Sequence, residues 1–488
     1  MEELKTDVLV VGTGGAGLRA AIAAAEAGCA TLLVSKGSPM LGSATLLSDG
    51  FFSASGPDMD PAEHARLTTE TGYHLNDPAL VKVLSGEAPA RLAELTRHGA
   101  TLIESKGGMR SPKERLGNMP IPGILGRWAA QAGVSTTGWT TVIDLLVDRG
   151  RVAGCSALVQ GRPVRIRAKA TVLCTGGASA LFRFHDNPIT SLGDGYAIAA
   201  RAGALLRDME FIQFYPLITN EPATPRILIM PPLADIGRIV NDKGEDLVEK
   251  YDLGSFRPLG LRARDRLSRA LFQEHLTGRT VFLDLRSMTG SDWLDPAAGK
   301  GLQRLFETRY GTHAKPLPIM PAAHFTIGGI PIDPQCRTNV EGLFAAGEVT
   351  CGLHGANRMG GNALSETLVF GARAGAEAAE WAHSTTLGNG IAPVPETRAP
   401  SIGGKSPLSV LKRLNEALWQ YCGPVRTAQG LSTGIETLGA LEREPLSCRN
   451  AFEAAFAASV RNGLQTARTI FEAAQSRRES MGAHFRED

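Results

Sequence analysis

A glycine-rich segment near the start of the chain constrains the fold more than any other feature. Residues 12–17 read GTGGAG and fit the pattern G-x-G-x-x-G. An apolar run, DVLVVG at Asp7–Gly12, leads into them, and an alanine-rich run, LRAAIAAAEA at Leu18–Ala27, follows. These runs are typical of a buried strand and a helix, and TLLV at Thr31–Val34 predicts a second strand. Strand, turn, helix and strand in this order predict an α/β fold that begins with a Rossmann-type unit.

The glycines also predict what this unit binds. In such a turn Gly12 permits the tight bend, Gly14 lets the backbone approach a pyrophosphate, and Gly17 brings the helix against the strand. The helix N-terminus adds free N–H groups, so we expect a dinucleotide here rather than a structural turn alone. An NAD-binding unit would carry an acidic residue after the second strand, where this chain has Ser35 and Lys36. The departure argues against an ordinary NAD dehydrogenase.

The remaining chain divides by its local pattern. ATVLC at Ala170–Cys174 and LFAA at Leu343–Ala346 are further buried-strand candidates, the first followed by Thr175-Gly176-Gly177 and the second by Gly347. Between about 211 and 321, prolines and charged turns predict an inserted α+β unit. A Pro/Gly/Ser-rich stretch at 389–407 predicts a linker. After it, three amphipathic segments predict a C-terminal helical bundle: Val410–Tyr421, Ser432–Leu441 and Arg449–Ala474.

The composition excludes several classes of partner. With 51 Lys and Arg against 49 Asp and Glu, the formal charge is +2, and no basic run interleaved with aromatic residues indicates nucleic-acid binding. The seven Cys are scattered without a C-x-x-C pair, so we expect no metal or iron–sulfur site within the chain. A basic leader and an apolar run of bilayer length are both lacking. We therefore expect a cytoplasmic chain without a membrane span of its own, and peripheral docking to a membrane complex stays open.

Further sequence blocks follow the glycine segment: SKGSPM, ATVLCTGG, SLGDGYAIAARAGA, RDMEFIQFYP, ARDRLSRA, AAHFTIGGI, TNVEGLFAAGEV, GLHGANRMGGNALSE and RRESMGAHFRED. In this order, and over nearly the whole chain, they resemble the flavoprotein subunits of succinate dehydrogenase and fumarate reductase, with L-aspartate oxidase among the relatives. The resemblance implies a Rossmann-type FAD-binding domain at 1–210 and 323–388, an inserted α+β capping domain at 211–322 and a C-terminal helical domain at 400–488. In this family the second strand ends in Ser-Lys, as it does here.

The resemblance also implies which residues bind the cofactor. Many relatives bond the flavin to a histidine where this chain has Ser43, which lacks the imidazole, so we predict that FAD is held non-covalently. An ordinary turn or cap carboxylate is the alternative for Asp194 and Glu348. The implied residues are Gly12, Gly14, Gly15 and Gly17 at the pyrophosphate, Ser35 and Lys36 at the adenosine, and Thr175, Gly176, Asp194, Glu348, Asn362, Leu364 and Ser365 at the ribityl chain and isoalloxazine.

The catalytic residues are implied in the same way. The family's proton-handling arginine matches Arg264, and its carboxylate-binding and polarising residues match His324 and Arg358. A guanidinium grips a carboxylate through forked, charge-assisted hydrogen bonds. Two alternatives stay open: Arg264 could be a salt-bridge partner of Asp265 or a substrate clamp, and His324 could be a histidine of the core.

The resemblance fails at the positions where the family holds a second carboxylate. This chain has Tyr215 in place of a histidine, and Pro231 and Pro232 in place of a Thr-Glu pair. Tyr215 can still donate a hydrogen bond, but proline has no N–H to offer. Asp235 could relay a proton instead, or it could be a surface carboxylate. We therefore expect an anionic substrate that is neither fumarate nor succinate.

Together these implications predict an FAD-dependent oxidoreductase that reduces or desaturates a C–C bond next to a carboxylate. Because the chain lacks cluster ligands, an iron–sulfur or other electron-transfer subunit is its expected partner. The alternatives are an amino acid oxidase that resembles L-aspartate oxidase and a non-catalytic flavin electron-transfer subunit. The retained Arg264, His324 and Arg358 favour chemistry over the last of these.

Overall fold

The computed structural model describes residues 2–56, 58–105, 107–111, 120–221, 228–229, 233–257, 259, 264–288, 315–387 and 403–488. The strands are β1 Glu2–Val11, β2 Thr31–Val34, β3 Phe51–Ser53, β4 Ile103–Ser105, β5 Gly108–Arg110, β6 Ser135–Thr137, β7 Thr140–Asp148, β8 Arg151–Val159, β9 Arg162–Leu173, β10 Ile212–Thr219, β11 Arg238–Asn241, β12 Val281–Asp284, β13 Leu317–Thr326, β14 Ile330–Pro331, β15 Leu343–Ala345 and β16 Thr350–Cys351. The helices are α1 Gly15–Glu26, α2 Ala44–Leu47, α3 Pro61–Thr71, α4 Pro78–Arg97, α5 Ile121–Gln131, α6 Asp194–Arg201, α7 Leu233–Ile236, α8 Leu247–Lys250, α9 Arg264–Leu276, α10 Asn362–Ser384, α11 Pro407–Cys422, α12 Ala428–Arg443 and α13 Ala451–Ser476.

A seven-stranded sheet carries the glycine segment. Strands β6, β2, β1, β9 and β15 run parallel in that spatial order, and β8 and β7 extend the sheet antiparallel from the other half of β9. Val8 pairs with Thr31 on one side and with Ala170 on the other. The end of β1 is apolar at every position because helices cover both faces of a parallel sheet. The predicted strand, helix and strand are confirmed.

Close packing of two helices brings a distant part of the chain to this sheet. Helix α10 lies against α1, and Gly371 and Gly375 of α10 face the backbone of Ala16 and Ala20. An added Cβ at Gly375 would lie 2.0 Å from the carbonyl oxygen of Ala20. Only small residues allow this approach, which carries the glycine-rich turn before α10 to the same end of the sheet as the turn before α1.

A second, antiparallel sheet of four strands, in the order β10, β13, β12 and β11, lies within the region of the predicted insertion. Strand β13 crosses the predicted boundary between residues 322 and 323 and carries His324 near its end. Much of the predicted capping domain lies outside the described residues, so its boundaries stay a prediction.

Three C-terminal helices, α11 to α13, match the predicted amphipathic segments. The second and third begin directly after side-chain caps, because Thr427 accepts a hydrogen bond from the N–H of Gly430 and Asn450 accepts one from Glu453. Thr466 of α13 donates to the carbonyl of Gly193, which ties the bundle to the start of α6. Most of the predicted linker lies outside the described residues. No helix in the described part of the chain is both long and apolar enough to cross a bilayer.

Candidate active site

One large cavity, of about 1470 Å³, opens at the carboxyl ends of the parallel strands. Val11, Val34, Cys174 and Ala346, at or just after the ends of β1, β2, β9 and β15, all line it. Ligands of open α/β sheets bind at this edge. Residues 12–16 of the glycine segment line the same cavity as all four predicted catalytic residues, which are Tyr215, Arg264, His324 and Arg358.

The glycine segment is shaped by two different constraints. Gly12 has φ of +116°, and an added Cβ at Gly17 would lie 1.8 Å from the carbonyl oxygen of Gly12, so both positions are closed by backbone. At Gly14, by contrast, an added Cβ would meet only Thr45 and Ser43, at 3.7 and 3.8 Å. Gly14 lines the cavity and precedes α1; it has no side chain to cap the helix, and the N–H of Gly15 donates to the Thr45 hydroxyl at 3.0 Å. The open space at Gly14 is therefore space that a ligand can use.

The two residues predicted at the adenosine, Ser35 and Lys36, already have protein partners. The hydroxyl of Thr13 donates to Ser35 at 2.9 Å. Lys36 forms an ion pair with Asp194 at 2.8 Å, and Asn462 of α13 donates to the same carboxylate at 3.1 Å. Asp194 and Lys36, predicted at different parts of the cofactor, are therefore adjacent here, and both line the cavity.

Glu348 has a half-buried carboxyl group that accepts the backbone N–H of Thr326 at 2.9 Å. Burial raises its pKa to about 7. It lies against the predicted TGG turn, since an added Cβ at Gly177 would be 2.0 Å from its Oε1. At neutral pH this carboxyl can therefore act as donor or acceptor to a bound hydroxyl or ring.

The other predicted cofactor residues divide into two groups. Asn362 bonds to His64 at 2.8 Å and to Thr68 at 2.9 Å, and Ser365 donates to the carbonyl of Ser53 at 2.5 Å. These two residues, like Gly17, do not line the cavity. Their hydrogen bonds instead fix the segments that form the cavity wall. The residues that do line it are Gly12, Gly14, Gly15, Ser35, Lys36, Ser43, Thr175, Gly176, Asp194, Glu348 and Leu364.

Arg358 is a buried cation with little to bind. Its guanidinium lies 4.6 Å from the ring centroid of Phe325, and one Nη donates weakly to the carbonyl of Met359 at 3.4 Å. Its Nε is buried without a hydrogen-bond partner among the described residues. Burial, and then the nearby Arg264, lower the pKa of Arg358 to about 10. A buried, under-bonded guanidinium at a cavity wall is suited to an anion.

Arg264 begins α9 and lies beside the turn that carries Arg358. Its Nη2 is 3.2 Å from the position that a Cβ would take at Gly360, two residues after Arg358. Its guanidinium is 5.3 Å from the ring centroid of Tyr215. The hydroxyl of Tyr215 donates to the carbonyl of Ile229 at 2.6 Å. Its proton is therefore committed to the backbone, and only the aromatic ring of Tyr215 can contact a substrate. The expectation that Tyr215 donates to a substrate therefore needs a correction: a hydroxyl has only one proton to give.

The imidazole of His324 forms a hydrogen bond with a carboxylate in the cavity and does not bond only to the backbone of the core. Its Nδ1 is 2.7 Å from a carboxylate oxygen of Asp186, and its ring centroid is 5.4 Å from that of Tyr215. Asn187 donates to both Asp186 and the carbonyl of His324. Sequence reasoning missed Asp186 and Asn187, because no motif marks the stretch HDNP between the matched blocks.

Two further predictions concern the loop that replaces the family's Thr-Glu pair. Asp235 pairs with Arg257 at 3.0 Å, accepts the N–H of Leu259, and does not line the cavity. The structure therefore does not support its role as a proton relay. Pro231 and Pro232 lie outside the described residues.

The donor set fits a dinucleotide with a redox ring and does not fit a metal. The cavity exceeds the roughly 300–1,000 Å³ of drug-sized pockets, and Gly14, Gly15 and Ala16 at the N-terminus of α1 line it. Among the described residues, no cluster of three or more His, Cys, Asp or Glu side chains could hold a metal ion.

Comparisons with known proteins agree with this geometry. An FAD binding domain model matches residues 7–364, and a fumarate reductase flavoprotein C-terminal model matches residues 411–488. One subunit of the fumarate reductase (CoM/CoB) of Methanothermobacter marburgensis is 33% identical over 100% of this chain and 95% of its own length. L-aspartate oxidase of Nostoc is 30% identical over 99% of the chain and 90% of its own. A solved E. coli quinol fumarate reductase flavoprotein superposes with a TM-score of 0.86 at 31% identity, covering 100% of this chain and 92% of that one.

Proposed function

The chain belongs to the fumarate reductase and succinate dehydrogenase flavoprotein family, and from that premise we propose that it reduces or desaturates a C–C bond next to a carboxylate held by Arg358. It is an FAD-dependent oxidoreductase of this type. The observation that carries the proposal is the buried Nε of Arg358, which has no partner among the described residues and lies in the cavity of the glycine segment.

We assign the cofactor by the shape of the cavity. The N-terminus of α1 and Gly14 would hold the pyrophosphate, and Glu348 would contact the ribityl chain or the ring. Bound FAD supplies the two-electron step. Ser43 caps the short helix α2 through the N–H of Leu46 and has no imidazole, so we propose that FAD is not bonded to the chain. Flavin fluorescence that stays with the polypeptide on a denaturing gel would disprove this.

The protein's own residues bind the substrate and move its proton. Arg358 would hold the carboxylate, and His324 would supply a further hydrogen bond. Arg264, 5.3 Å from the Tyr215 ring and next to the Arg358 turn, would exchange the proton at the reacting carbon.

The far end of the substrate meets a different environment. The Tyr215 hydroxyl is committed to Ile229, so this position offers a ring and not a donor. Each hydrogen bond to a charged group contributes roughly 1.5–3 kcal/mol. Two missing donors would therefore weaken a dicarboxylate by on the order of a hundredfold or more. We propose a substrate with one carboxylate and an uncharged, bulkier far end.

A titration of the FAD-loaded protein tests this proposal. Flavin absorbance would be followed as fumarate, succinate, malonate, crotonate and cinnamate are added, and each unsaturated acid would then be offered to the anaerobically reduced protein. We expect crotonate or cinnamate to bind and reoxidise the flavin more readily than fumarate. Micromolar fumarate binding with fast reoxidation would overturn the substrate assignment and leave the enzyme class intact.

The identity to L-aspartate oxidase supports a second candidate, an amino acid oxidase. Rapid reoxidation of the flavin by air, with release of peroxide, would favour it over the first. An electron-transfer subunit without a substrate is the third, and it predicts that no acid in the panel perturbs the flavin.

The source of electrons is a separate proposal. One relative is named as a subunit, and we propose that this chain also works with an electron-transfer partner, an iron–sulfur subunit being the first to test. Such a partner could dock this chain at a membrane from the cytoplasmic side. Co-purification of an iron–sulfur protein with the tagged chain would support the assignment, and full turnover by the isolated chain with a soluble donor would contradict it.

A further inference from the structure

Asp186 forms a close pair with His324 inside the cavity. The carboxylate oxygen is 2.7 Å from Nδ1 of the imidazole, and the two side chains are only 10% and 22% exposed. Both residues line the cavity that also contains Arg264 and Arg358. The contact therefore belongs to the site and is largely shielded from water.

Backbone pairing holds the two residues together. The N–H of Ala323 donates to the carbonyl of Phe184 at 2.8 Å, and the N–H of Asp186 donates back to the carbonyl of Ala323 at 3.3 Å. These bonds attach the segment that carries Asp186 to the end of β13, next to His324. The pair is thus set by main-chain geometry and does not depend on two long, mobile side chains meeting.

Asn187 fixes the orientation of the carboxylate. Its amide nitrogen donates to Oδ1 of Asp186 at 3.0 Å and to the carbonyl of His324 at 2.7 Å. Oδ2, the other oxygen, is the one that faces the imidazole. Since an ionised carboxylate can only accept hydrogen bonds, the ring nitrogen opposite it must carry a hydrogen.

We propose that Asp186 is a positioning residue that keeps the hydrogen of neutral His324 on Nδ1 and so assigns Nε2 to the substrate. The hydrogen bond at one ring nitrogen decides the state of the other. Neutral His324 then accepts a hydrogen bond or proton through Nε2, and protonated His324 donates one there. This inference rests on the proposed function only in naming the substrate as the partner of Nε2.

Imidazole nitrogen NMR on the FAD-loaded full chain tests the inference directly. The protein would be labelled with ¹⁵N-histidine, and the His324 signals would be identified by their absence in His324→Gln. We expect the neutral ring to carry its hydrogen on Nδ1. A wild-type ring with its hydrogen on Nε2 would by itself overturn the proposal, even if no variant of Asp186 can be purified.

Two variants separate positioning from simple packing. In Asp186→Asn, the Asn187 amide should still take Oδ1, which turns the new NH₂ group toward the imidazole and should move the hydrogen to Nε2. Asp49→Asn is the matched control, because Asp49 is a cavity carboxylate whose ion pair is with Arg110 at 3.5 Å. It should leave the tautomer unchanged. An unchanged tautomer in Asp186→Asn, or the same change in both variants, would contradict the proposal.

The result is independent of the enzyme assignment. If the His324 hydrogen is on Nδ1 but no acid in the panel reoxidises the reduced flavin, the inference about Asp186 stands and the proposed function fails. If the hydrogen is on Nε2 in an active enzyme, the proposed function stands and the inference fails.

Discussion

The two ends of the cavity are built on different principles. At the nucleotide end, backbone closes Gly12 and Gly17, and the polar side chains Ser35 and Lys36 bond to other residues of the chain. At the substrate end, Arg358 is buried with one weak hydrogen bond and an Nε that lacks a partner among the described residues. At the nucleotide end, the backbone fixes the shape and these side chains already have their partners within the protein. At the substrate end, the Arg358 charge lacks a partner until an anion binds. The two ends should therefore respond differently to substitution.

The largest effect should come from the glycines, and it should differ in kind between two of them. A Cβ at Gly17 collides with the Gly12 carbonyl, so Gly17→Ala should lose stability by roughly 1–3 kcal/mol or more and lose FAD with it. A Cβ at Gly14 meets only ordinary contacts, so Gly14→Val should fold but lack FAD. Thermal unfolding and flavin absorbance separate the two results. Full FAD retention by folded Gly14→Val would show that the open space at Gly14 is not the pyrophosphate site.

At the substrate end, loss of Arg264 should affect turnover more than binding. Arg264→Ala should slow turnover by roughly 10²–10⁴-fold, the size of a general acid–base contribution. The flavin spectrum and the affinity for the bound acid should change little. Arg266→Ala is the matched control, because Arg266 lies over Phe256 at 4.0 Å and does not line the cavity. A loss confined to KM would identify Arg264 as a binding clamp.

Two buried arginines sharpen the comparison further. Arg358→Met should weaken binding of a carboxylate by on the order of a hundredfold, yet leave the free energy of unfolding unchanged or higher, because it removes an under-bonded charge. Arg426 is also buried and its Nη2 lacks a partner among the described residues, but its Nε and Nη1 donate to the carbonyls of Gly423 and Glu210. Arg426→Met should therefore destabilise the protein by about 1–3 kcal/mol per orphaned carbonyl. Equal destabilisation of both variants in denaturant would show that Arg358 is structural.

A smaller effect, spread over pH, should come from Glu348. Its folded pKa of about 7 exceeds the usual 4.5, so the folded state binds more protons than the unfolded state within that window. Its contribution to the free energy of unfolding should fall as pH rises from about 4.5 to 7 and stay level above. Glu348→Gln should therefore gain stability relative to wild type across this window, by as much as about 3 kcal/mol.

The control for this measurement is Glu341→Gln, which changes an exposed carboxylate. Melting temperatures of all three proteins, measured from about pH 4.5 to 8, give the comparison. If the difference in melting temperature between Glu348→Gln and wild type does not change with pH, the Glu348 carboxyl is ionised throughout and the prediction is wrong.

The same contrast explains what the sequence could predict. The glycine segment and its strand and helix are local, with spacing fixed by backbone geometry, so the fold of residues 1–35 could be predicted from that stretch alone. Tyr215, Arg264, His324 and Arg358 come from two strands, a helix and a loop that are far apart in the sequence, and only the collinear family blocks placed them together in advance.

What was missed depends on tertiary pairing. Asp186 reaches His324 because its segment bonds to β13, and the Tyr215 hydroxyl is occupied because the chain returns past it at Ile229. Neither fact leaves a periodicity or motif in the sequence. The Lys36 and Asp194 pair was likewise invisible, since 158 residues separate its members.

A crystal structure of the FAD-loaded protein, soaked with the tightest-binding acid of the panel, would show whether Arg358 holds the substrate. We expect the pyrophosphate at the N-terminus of α1 beside Gly14, and a carboxylate within about 3 Å of Arg358, with Nε among its donors. A carboxylate bound elsewhere, with Arg358 still unpaired beside the flavin, would contradict this expectation.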